Sequence, residues 1–479
     1  MHFKLIVHSL GTIVLLLALT MVFPLVWALK DNSPDSTALV LSILITAAVG
    51  IMLKAVKPAG TFNRRDGFAI VGFGWLLVVI LGALPIFLSG TVSTYTDAFF
   101  ETMSGFTTTG ATILDDIETV SCGILFWRSF THWLGGMGII MLSLAIFSVL
   151  HNGASLFQAE VPGPTPERLL PRLKQTAIMM WLIYSALSLL QTIALNLSGL
   201  SLYESLIHTF GTMATGGFSS QNLSIQSFNS GRIEAIMVVF MVLAGINFSL
   251  YYRLFQKRDL KKFFSATEIK GYFTILFLAV VVVAFSLFTG LNLTLPGALR
   301  RAVFQVVSIC TTTGFSSDNF DAWPSLAKGV LFLLMFVGGC TGSTAGSIKV
   351  ARIVLLFKYA LRQILLVARP RLVMQTKLGK SVIPDKVIHE TLSFFFLYVV
   401  LFVFGALVVM GTGQDMLTSF AASAATIGNV GPGFGGFGPL ENYAGMHVVA
   451  KWVLSFLMLV GRLEILTVLV MLSPSFWRK

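Results

Sequence analysis

Charged residues are scarce in this chain of 479 residues, at 11% of the total against roughly a quarter in a soluble globular protein. Hydrophobic residues make up 55% and the mean hydropathy is +0.84, so an ordinary soluble fold is excluded and a polytopic membrane protein is indicated. Acidic residues are the scarcer sign, at 21 against 33 lysines and arginines. A basic excess on an apolar chain is typical of cytoplasmic loops or of contact with anionic lipid. Binding to nucleic acid is the weaker interpretation of this excess.

Cysteine is also rare. The three cysteines are odd in number and lie in or beside apolar runs, so packed thiols are favoured over a disulfide framework. The seven histidines have no paired metal spacing, and His132 and His208 are interpreted as packing residues. The run GPGFGG at 431–436 lacks the βαβ context of a dinucleotide site. With no nucleophile and base in a recognisable arrangement, the sequence predicts no enzyme and no bound cofactor.

Long apolar runs are what the chain has instead. Nine runs are long enough to cross about 30 Å of hydrocarbon, and a tenth is interrupted. They lie near 5–29, 37–57, 67–90, 124–150, 175–198, 232–255, 272–291, 387–411 and 447–473, with the interrupted run near 326–366. The first is too long for a signal peptide and is interpreted as a retained helix. Basic segments share the side of Lys4, which the positive-inside rule assigns to the cytoplasm together with both termini.

Four shorter apolar segments do not fit this topology as spans. They lie near 95–107, 202–213, 297–310 and 414–425, and each is followed by a polar, glycine-rich return. The returns read TTTGAT, MATGGFS, TTTGFS and ATIGNVG. Aligning Gly110, Gly216, Gly314 and Gly428 gives a spacing of roughly 100 residues, which indicates an internal repeat of long helix, short helix, polar return and long helix.

The repeated return has a physical use. Backbone that is not helical at membrane depth must be buried by protein or line a water-filled cavity. Four such loops on one axis would let carbonyl oxygens replace the hydration shell of a cation, and the C-terminal dipole end of each short helix favours cations. A packing seam of small residues is the alternative for any single loop, but four loops in register favour a pore.

At these four loops the chain resembles the Trk/Ktr/HKT superfamily of potassium transporters, and the two extra N-terminal helices point to the TrkH-type pore subunits. The similarity covers essentially the whole chain. It implies an all-α polytopic membrane protein with four helix–pore-loop–helix repeats in a pseudo-fourfold arrangement. The expected divisions are 1–60 for the two N-terminal helices and 61–165, 166–262, 263–370 and 371–479 for pore repeats one to four.

The resemblance implies a potassium filter built from backbone carbonyls, with one glycine in each repeat. By resemblance the filter residues are Thr108, Thr109 and Gly110, then Ala214, Thr215 and Gly216, then Thr312, Thr313 and Gly314, then Thr426, Ile427 and Gly428. The fourth loop departs from the threonine pattern at Ile427. A serine in place of the first glycine is associated with sodium preference in plant relatives, so Gly110 favours potassium.

The interruption in the third repeat, GGCTGSTAGSIK from Gly338 to Lys349, is too polar and too rich in glycine for a lipid-facing helix. A helix contact through small residues is the alternative. The resemblance implies an intramembrane loop that lies under the filter and gates it. The gating residues implied are Gly338, Gly339, Gly342, Ser343, Thr344, Gly346 and Lys349, together with Arg462.

Arg462 lies near the centre of the last apolar run. An arginine facing lipid there would cost at least about 2.5–3.5 kcal/mol, so it must face the pore or a buried partner. The resemblance implies a gating role below the filter. Packing against the carbonyls of 338–349 is the alternative and is compatible with gating. Glu464 is two positions away and therefore on another face of a helix, so an intrahelical pair is not expected.

Two functions follow from this pattern. The first is uptake of potassium, with rubidium and sodium as further candidate ions, through a gated pore. The second is a proton- or sodium-coupled carrier with its substrate site at broken helices. The inward basic segments 151–174, 253–270 and 353–386 are expected, by resemblance, to bind a cytosolic nucleotide-binding ring of the TrkA type, although anionic lipid could occupy them instead. A homodimer in the inner membrane is also implied.

Overall fold

The computed structural model describes residues 1–60, 63–138, 173–257, 261, 265–371, 374–379 and 381–478. These residues are mostly helical, with one antiparallel two-stranded hairpin formed by Lys377–Leu378 and Ser381–Val382. The expectations for residues 139–172, which include the end of the run 124–150 and most of the basic segment 151–174, lie outside the described residues.

Six helices of the described residues are long and apolar enough to cross a membrane. Two are N-terminal, Phe3–Lys30 and Ser36–Lys54, and they pack closely because Gly11 of the first lies against the backbone of Lys54. The other four, called outer helices, each open one repeat. They are Arg65–Leu88, Ala177–Leu197, Thr267–Gly290 and Asp385–Gly411. The chain is therefore a multi-pass membrane protein.

A shorter helix, called the pore helix, follows each outer helix and ends at a polar loop. Pore helices one to four are Tyr95–Phe106, Leu202–Met213, Leu295–Cys310 and Met416–Ile427. Their first turns are capped locally: Ser201 forms a capping box with Glu204, Asp415 accepts from the Thr418 amide, and the third begins with a proline in its first turn.

The last helix of each repeat is called the inner helix, and it is broken in repeats two, three and four. The segments on either side of these breaks are Gly231–Ala244 and Phe248–Lys257, Ser325–Leu334 and Val350–Ala368, and Val448–Arg462 and Ile465–Leu472. In the first repeat, Cys122–Trp133 continues directly into the π-helix Leu134–Gly138, where the described part of this helix ends. The two halves of inner helix 4 are bent by 116°.

The sequence predicted a break only in the third repeat, so the expectation of continuous helices over 232–255 and 447–473 was wrong. Contacts at the breaks explain the difference. A Cβ atom at Gly461 would overlap the carbonyl oxygen of Ile427, so inner helix 4 breaks where this glycine lies directly against the C-terminal end of pore helix 4. Inner helix 2 breaks where the Gly245 carbonyl accepts from the Cys340 amide. Gly135, in the π-helix of the first repeat, approaches the carbonyl oxygen of Phe106 just as closely.

Candidate ion pathway

Each pore helix ends in the same backbone arrangement. In the first repeat, the amides of Thr107, Thr108 and Thr109 donate to carbonyls four, three and five residues earlier, and the same three bonds recur at 214–216, 311–313 and 428–430. The residue at the second position has a positive φ in every repeat. These residues are Thr108 at 52°, Thr215 at 57°, Thr312 at 58° and Asn429 at 53°. The four loops are therefore equivalent in backbone conformation.

Two residues further on, each loop has a glycine with positive φ. These glycines are Gly110 at 85°, Gly217 at 81°, Gly314 at 81° and Gly431 at 95°. A Cβ atom on any of them would overlap a carbonyl oxygen of the next loop. The carbonyls, in the same order, belong to Gly216, Thr313, Val430 and Thr109. Because the fourth loop contacts the first, the four loops form a closed ring around one axis, and only glycine permits both the angle and the approach.

The alignment of glycines made from the sequence was wrong in two repeats. It matched Gly216 and Gly428 to Gly110, whereas the equivalent residues in the structure are Gly217 and Gly431. Gly428 is the C-cap of pore helix 4, with φ −80°. Both loops contain more than one glycine, and the sequence alone does not reveal which of them has the left-handed conformation.

This register changes the equivalence of the filter positions. Thr426 and Ile427 lie inside pore helix 4, so the fourth loop matches Thr108 and Thr109 with Asn429 and Val430. Ala214 matches Thr107, at the end of its helix. The departure from the threonine pattern at Ile427 is thereby explained, because that residue belongs to the helix and not to the ring.

A funnel of about 110 Å³ opens on the side of the ring where the acidic residues lie. All four positive-φ glycines line it, and so do Asp115 and Glu441. Amide side chains hold the acidic rim in place: Asn442 donates to Asp115 over 3.1 Å. An acidic mouth raises the local concentration of cations, by an amount that salt reduces.

On the opposite side, the segment between the halves of inner helix 3 lies directly against the ring. The Gly346 amide donates to Thr312 Oγ1 over 2.7 Å, and Thr344 Oγ1 donates to the Met213 carbonyl over 3.0 Å. A Cβ atom at Gly346 would lie 2.6 Å from the Gly428 carbonyl oxygen. This segment, 335–349, therefore contacts the pore loops or pore-helix ends of repeats two, three and four.

The segment 335–349 is anchored by backbone hydrogen bonds to the break in inner helix 2. The Cys340 amide donates to the Gly245 carbonyl over 2.8 Å, and the Phe248 amide donates to the Gly342 carbonyl over 3.1 Å. Glu268, at the start of the third outer helix, accepts from the Thr341 amide over 2.5 Å. The segment is a folded, non-helical loop, as its composition predicted.

Arg462 ends the first half of inner helix 4 and extends beneath the ring. Its guanidinium donates to the Thr344 carbonyl over 2.6 Å and to the carbonyls of Gly135 and Gly136 over 2.8 Å each. It thus links the loop under the ring to the π-helix Leu134–Gly138 of inner helix 1. Glu464 pairs with Arg352 at 2.5 Å, so the prediction that it would not pair within its own helix agrees with the structure.

The pore helices share one position behind the ring, which is polar in the first three. The residues there are Glu101, His208, Gln305 and Ala422, and sequence reasoning singled out only His208. The three polar residues hold the strand that leaves the ring, called the return strand. Glu101 accepts from the Ile113 amide over 2.8 Å, the His208 Nε2 and Ser219 hydroxyl are 3.0 Å apart, and Gln305 donates to the Phe315 carbonyl over 3.4 Å. A glutamate inside a short apolar segment was the available signal, because such a charge at membrane depth needs a partner.

His132 also lies behind the ring, in agreement with its interpretation as a packing residue. Its Nδ1 is 2.7 Å from the Gly105 carbonyl oxygen, and its Nε2 accepts from the Phe218 amide over 3.3 Å. The ring of His132 stacks on that of Phe218 with their centroids 4.0 Å apart. The imidazole therefore fills the space behind the second loop.

Four equivalent loops around one axis, each entered by a short helix, define a single-chain membrane protein of the pore-loop class. The family model for TrkH, described as a cation transport protein, matches residues 36–479, and the chain belongs to this family. The Trk system potassium uptake protein TrkH of Escherichia coli (strain K12) is 38% identical over 100% of both chains. TrkG of the same organism is 33% identical over 100% of this chain and 99% of its own.

A solved structure has the same fold. The crystal structure of the potassium transporter TrkH from Vibrio parahaemolyticus superposes with a TM-score of 0.91, at 34% sequence identity and with 100% of both chains covered. The pseudo-fourfold fold with two additional N-terminal helices is therefore confirmed. The family consists of transport proteins, so the prediction that this chain is not an enzyme is confirmed as well.

Proposed function

We propose that this chain takes up potassium ions across the cell inner membrane through the ring of four pore loops. The closed ring is the observation that carries the proposal, because it brings backbone carbonyls of all four loops around one axis. Carbonyl oxygens arranged in this way replace the hydration shell of a dehydrated ion. Two curated relatives are named as potassium uptake proteins, which supports potassium as the ion.

The proposed ligands follow the backbone register. In the first and third loops the proposed ligands are the residues predicted from the sequence. In the second loop Thr215 and Gly216 are retained, Gly217 is added and Ala214 is removed. In the fourth loop Asn429, Val430 and Gly431 take the place of Thr426, Ile427 and Gly428. The four pore helices end at these loops, so the negative ends of their dipoles favour a cation there.

The proposed gate is the loop Gly338–Lys349 together with Arg462. The loop lies against the ring, and the positive charge of Arg462 beneath it opposes the passage of a cation. For an ion to pass, the hydrogen bonds of Arg462 to Thr344 and to Gly135 and Gly136 must open or shift. This arrangement supports gating by movement of the loop.

The regulatory partner and the assembly remain part of the proposal. We propose the repeat divisions 61–165, 166–262, 263–370 and 371–479, cytoplasmic termini, a homodimer, and a cytosolic nucleotide-binding ring on the basic inward segments. Neutralising Arg253, Lys257 and Arg258 should remove nucleotide-dependent control of flux while the protein stays folded. Unchanged regulation in that variant would count against docking at this segment.

The direct test is ion flux in reconstituted vesicles, with potassium, rubidium and sodium compared for the wild type and for Gly110→Ser. The matched control is Gly329→Ala, because a Cβ atom at Gly329 meets nothing within 4 Å. We expect flux along the potassium gradient in the wild type and the control, and reduced selectivity in Gly110→Ser. Flux that requires a proton or sodium gradient would instead support the coupled carrier.

A further inference from the structure

A buried ion pair of the first repeat lies behind the ring and also contacts the second repeat. Arg128 Nε lies 2.5 Å from Glu101 Oε1, and the two side chains are 2% and 0% exposed. Glu101 belongs to pore helix 1 and Arg128 to inner helix 1. Burial of two charges has a large desolvation cost, and such a pair is weak evidence for stability, although buried pairs can fix one arrangement of the elements they join.

The remaining contacts of the pair go to return strands. Glu101 accepts from the Ile113 amide over 2.8 Å and from Thr112 Oγ1 over 2.9 Å, both on the first return strand. Arg128 donates to the Ser219 carbonyl of the second return strand over 3.1 Å. Its guanidinium also lies 3.5 Å from the ring centroid of Phe218, the residue directly after Gly217.

The residues equivalent to Glu101 in the other three repeats make fewer polar contacts than Glu101 does. Among the described residues, His208 and Gln305 form hydrogen bonds to the return strand of their own repeat, and Ala422 has no polar group to do so. The pair of Glu101 and Arg128 holds two neighbouring return strands at once. The pair is therefore one of the contacts that hold the first and second loops at their distance, together with the bond from the Phe218 amide to His132.

We infer that Glu101 and Arg128 are positioning residues that set the ion selectivity of the ring, by fixing the first two loops at the spacing that suits potassium. The inference rests on the proposed function of the ring as a potassium filter. Selectivity in such filters depends on the number, field strength and spacing of the carbonyl ligands. A change that loosens two of the four loops should admit smaller ions such as sodium.

The pair also shields the ion pathway. Arg128 borders the funnel above the ring, and Glu101 balances its charge. Without Glu101, a positive charge would remain beside the path of incoming cations. Loss of Glu101 should therefore lower cation entry as well as selectivity, whereas loss of both charges should lower selectivity alone.

The test measures the ratio of potassium to sodium flux, and separately the maximal potassium flux, in reconstituted vesicles. The variants are Glu101→Gln, Arg128→Met, the double variant Glu101→Gln/Arg128→Met, and Thr112→Val. Thr112→Val removes one hydrogen bond to Glu101 and, with it, the bond that the Leu114 amide donates to the Thr112 hydroxyl. The control is Arg300→Gln. Arg300 also joins a pore helix to an inner helix, through Glu234 at 2.8 Å, but its side chain is 49% exposed.

We expect the potassium-to-sodium ratio to fall about tenfold in Glu101→Gln and in the double variant, within the range of coupling in a shared network. Thr112→Val should lower it about twofold, and Arg300→Gln should leave it unchanged. Arg128→Lys keeps the charge but not the planar fork that reaches both Glu101 and Ser219, so it should be intermediate. A purely structural role would reduce the amount of folded protein without moving the ratio.

A single variant leaves a lone buried charge and can fail to fold, so the double variant and Thr112→Val decide the question. A wild-type ratio in both of these would overturn the inference. If the wild type itself carried no potassium, the proposed function would fail. Potassium flux in the wild type with unchanged ratios in the variants would remove only the role of the pair.

Discussion

Asn429 Nδ2 lies 3.0 Å from Thr109 Oγ1 and donates a hydrogen bond that joins the fourth pore loop to the first. The same amide donates to the Met458 carbonyl of inner helix 4 over 2.9 Å. The equivalent side chains of Thr215 and Thr312 bond instead to Ala214 and to Gly346. The junction between the fourth and first loops therefore has a side-chain bridge that ties it to an inner helix.

The first prediction concerns this bridge. In Asn429→Thr the backbone should be preserved, because threonine has a φ of 52–58° at the three equivalent positions. The bridge to Thr109 and Met458 is lost, so we expect the potassium-to-sodium flux ratio to fall by about threefold to tenfold, the range that one or two hydrogen bonds represent. Vesicle flux measures the ratio, and Thr109→Ser, which keeps the hydroxyl, is the control. Equal ratios in Asn429→Thr and the wild type would contradict the role of the bridge.

The second prediction separates the two neighbouring glycines of the second loop. Gly217 has φ 81°, and a Cβ atom there would overlap the Thr313 carbonyl oxygen. Gly217→Ala should therefore lower potassium uptake at least about tenfold, because both the left-handed angle and the contact oppose it. Growth or uptake assays in cells that depend on the protein for potassium measure the effect. Protein amount in the membrane is determined in parallel.

Gly413→Ala is the matched control for that experiment. Gly413 has φ 97°, but a Cβ atom there meets nothing within 4 Å. It therefore carries the cost of the backbone angle without the contact to a neighbouring loop. If Gly413→Ala impaired uptake as strongly as Gly217→Ala, closure of the ring would not be the cause of the defect.

The third prediction concerns Arg462. Arg462→Gln removes the charge under the ring and weakens the bonds to Thr344, Gly135 and Gly136. We expect potassium flux in the absence of any regulatory subunit to rise by about tenfold or more, the effect of losing one charge-assisted hydrogen bond. Arg462→Lys should be intermediate, because an ammonium group lacks the fork that reaches separate carbonyls. A less stable protein with no rise in flux would identify Arg462 as a packing residue only.

The sequence was sufficient for the number of repeats and for the non-helical loop Gly338–Lys349, because short apolar segments and glycine-rich returns are local features of the chain. It was not sufficient for the register, because GG at 216–217 and GNVG at 428–431 offer several glycines, and the left-handed one is defined by contact with the neighbouring loop.

The breaks in the inner helices are also decided by distant contacts. Gly461 is the only glycine in the run 447–473, and the break there depends on its approach to the carbonyl of Ile427 in another helix. The sequence shows Glu101 and Arg128 as two charges in apolar runs, but it does not show that they pair with each other.

The last prediction concerns the ion pair between Arg352 and Glu464, which lies at the break in inner helix 4. Glu464 has φ 57°, and its carboxylate lies 2.5 Å from Arg352, with side-chain exposures of 11% and 10%. Arg352 also lies over the Phe394 ring, 4.0 Å from its centroid. Because Glu464→Gln leaves the arginine buried without a counter-charge, we expect a loss of about 3–5 kcal/mol in the free energy of unfolding.

Thermal and denaturant unfolding of the purified protein in detergent measures this loss. Arg352→Met/Glu464→Gln removes both charges and should recover most of the stability, since replacement of a whole buried pair is often neutral. Arg362→Gln is the control, because its partner Asp385 is 71% exposed and such a surface pair contributes about 0–1 kcal/mol. If Glu464→Gln were as stable as this control, the bend would be held by the glycine contacts of the break, and the pair would serve only to align the helix that follows the loop Gly338–Lys349.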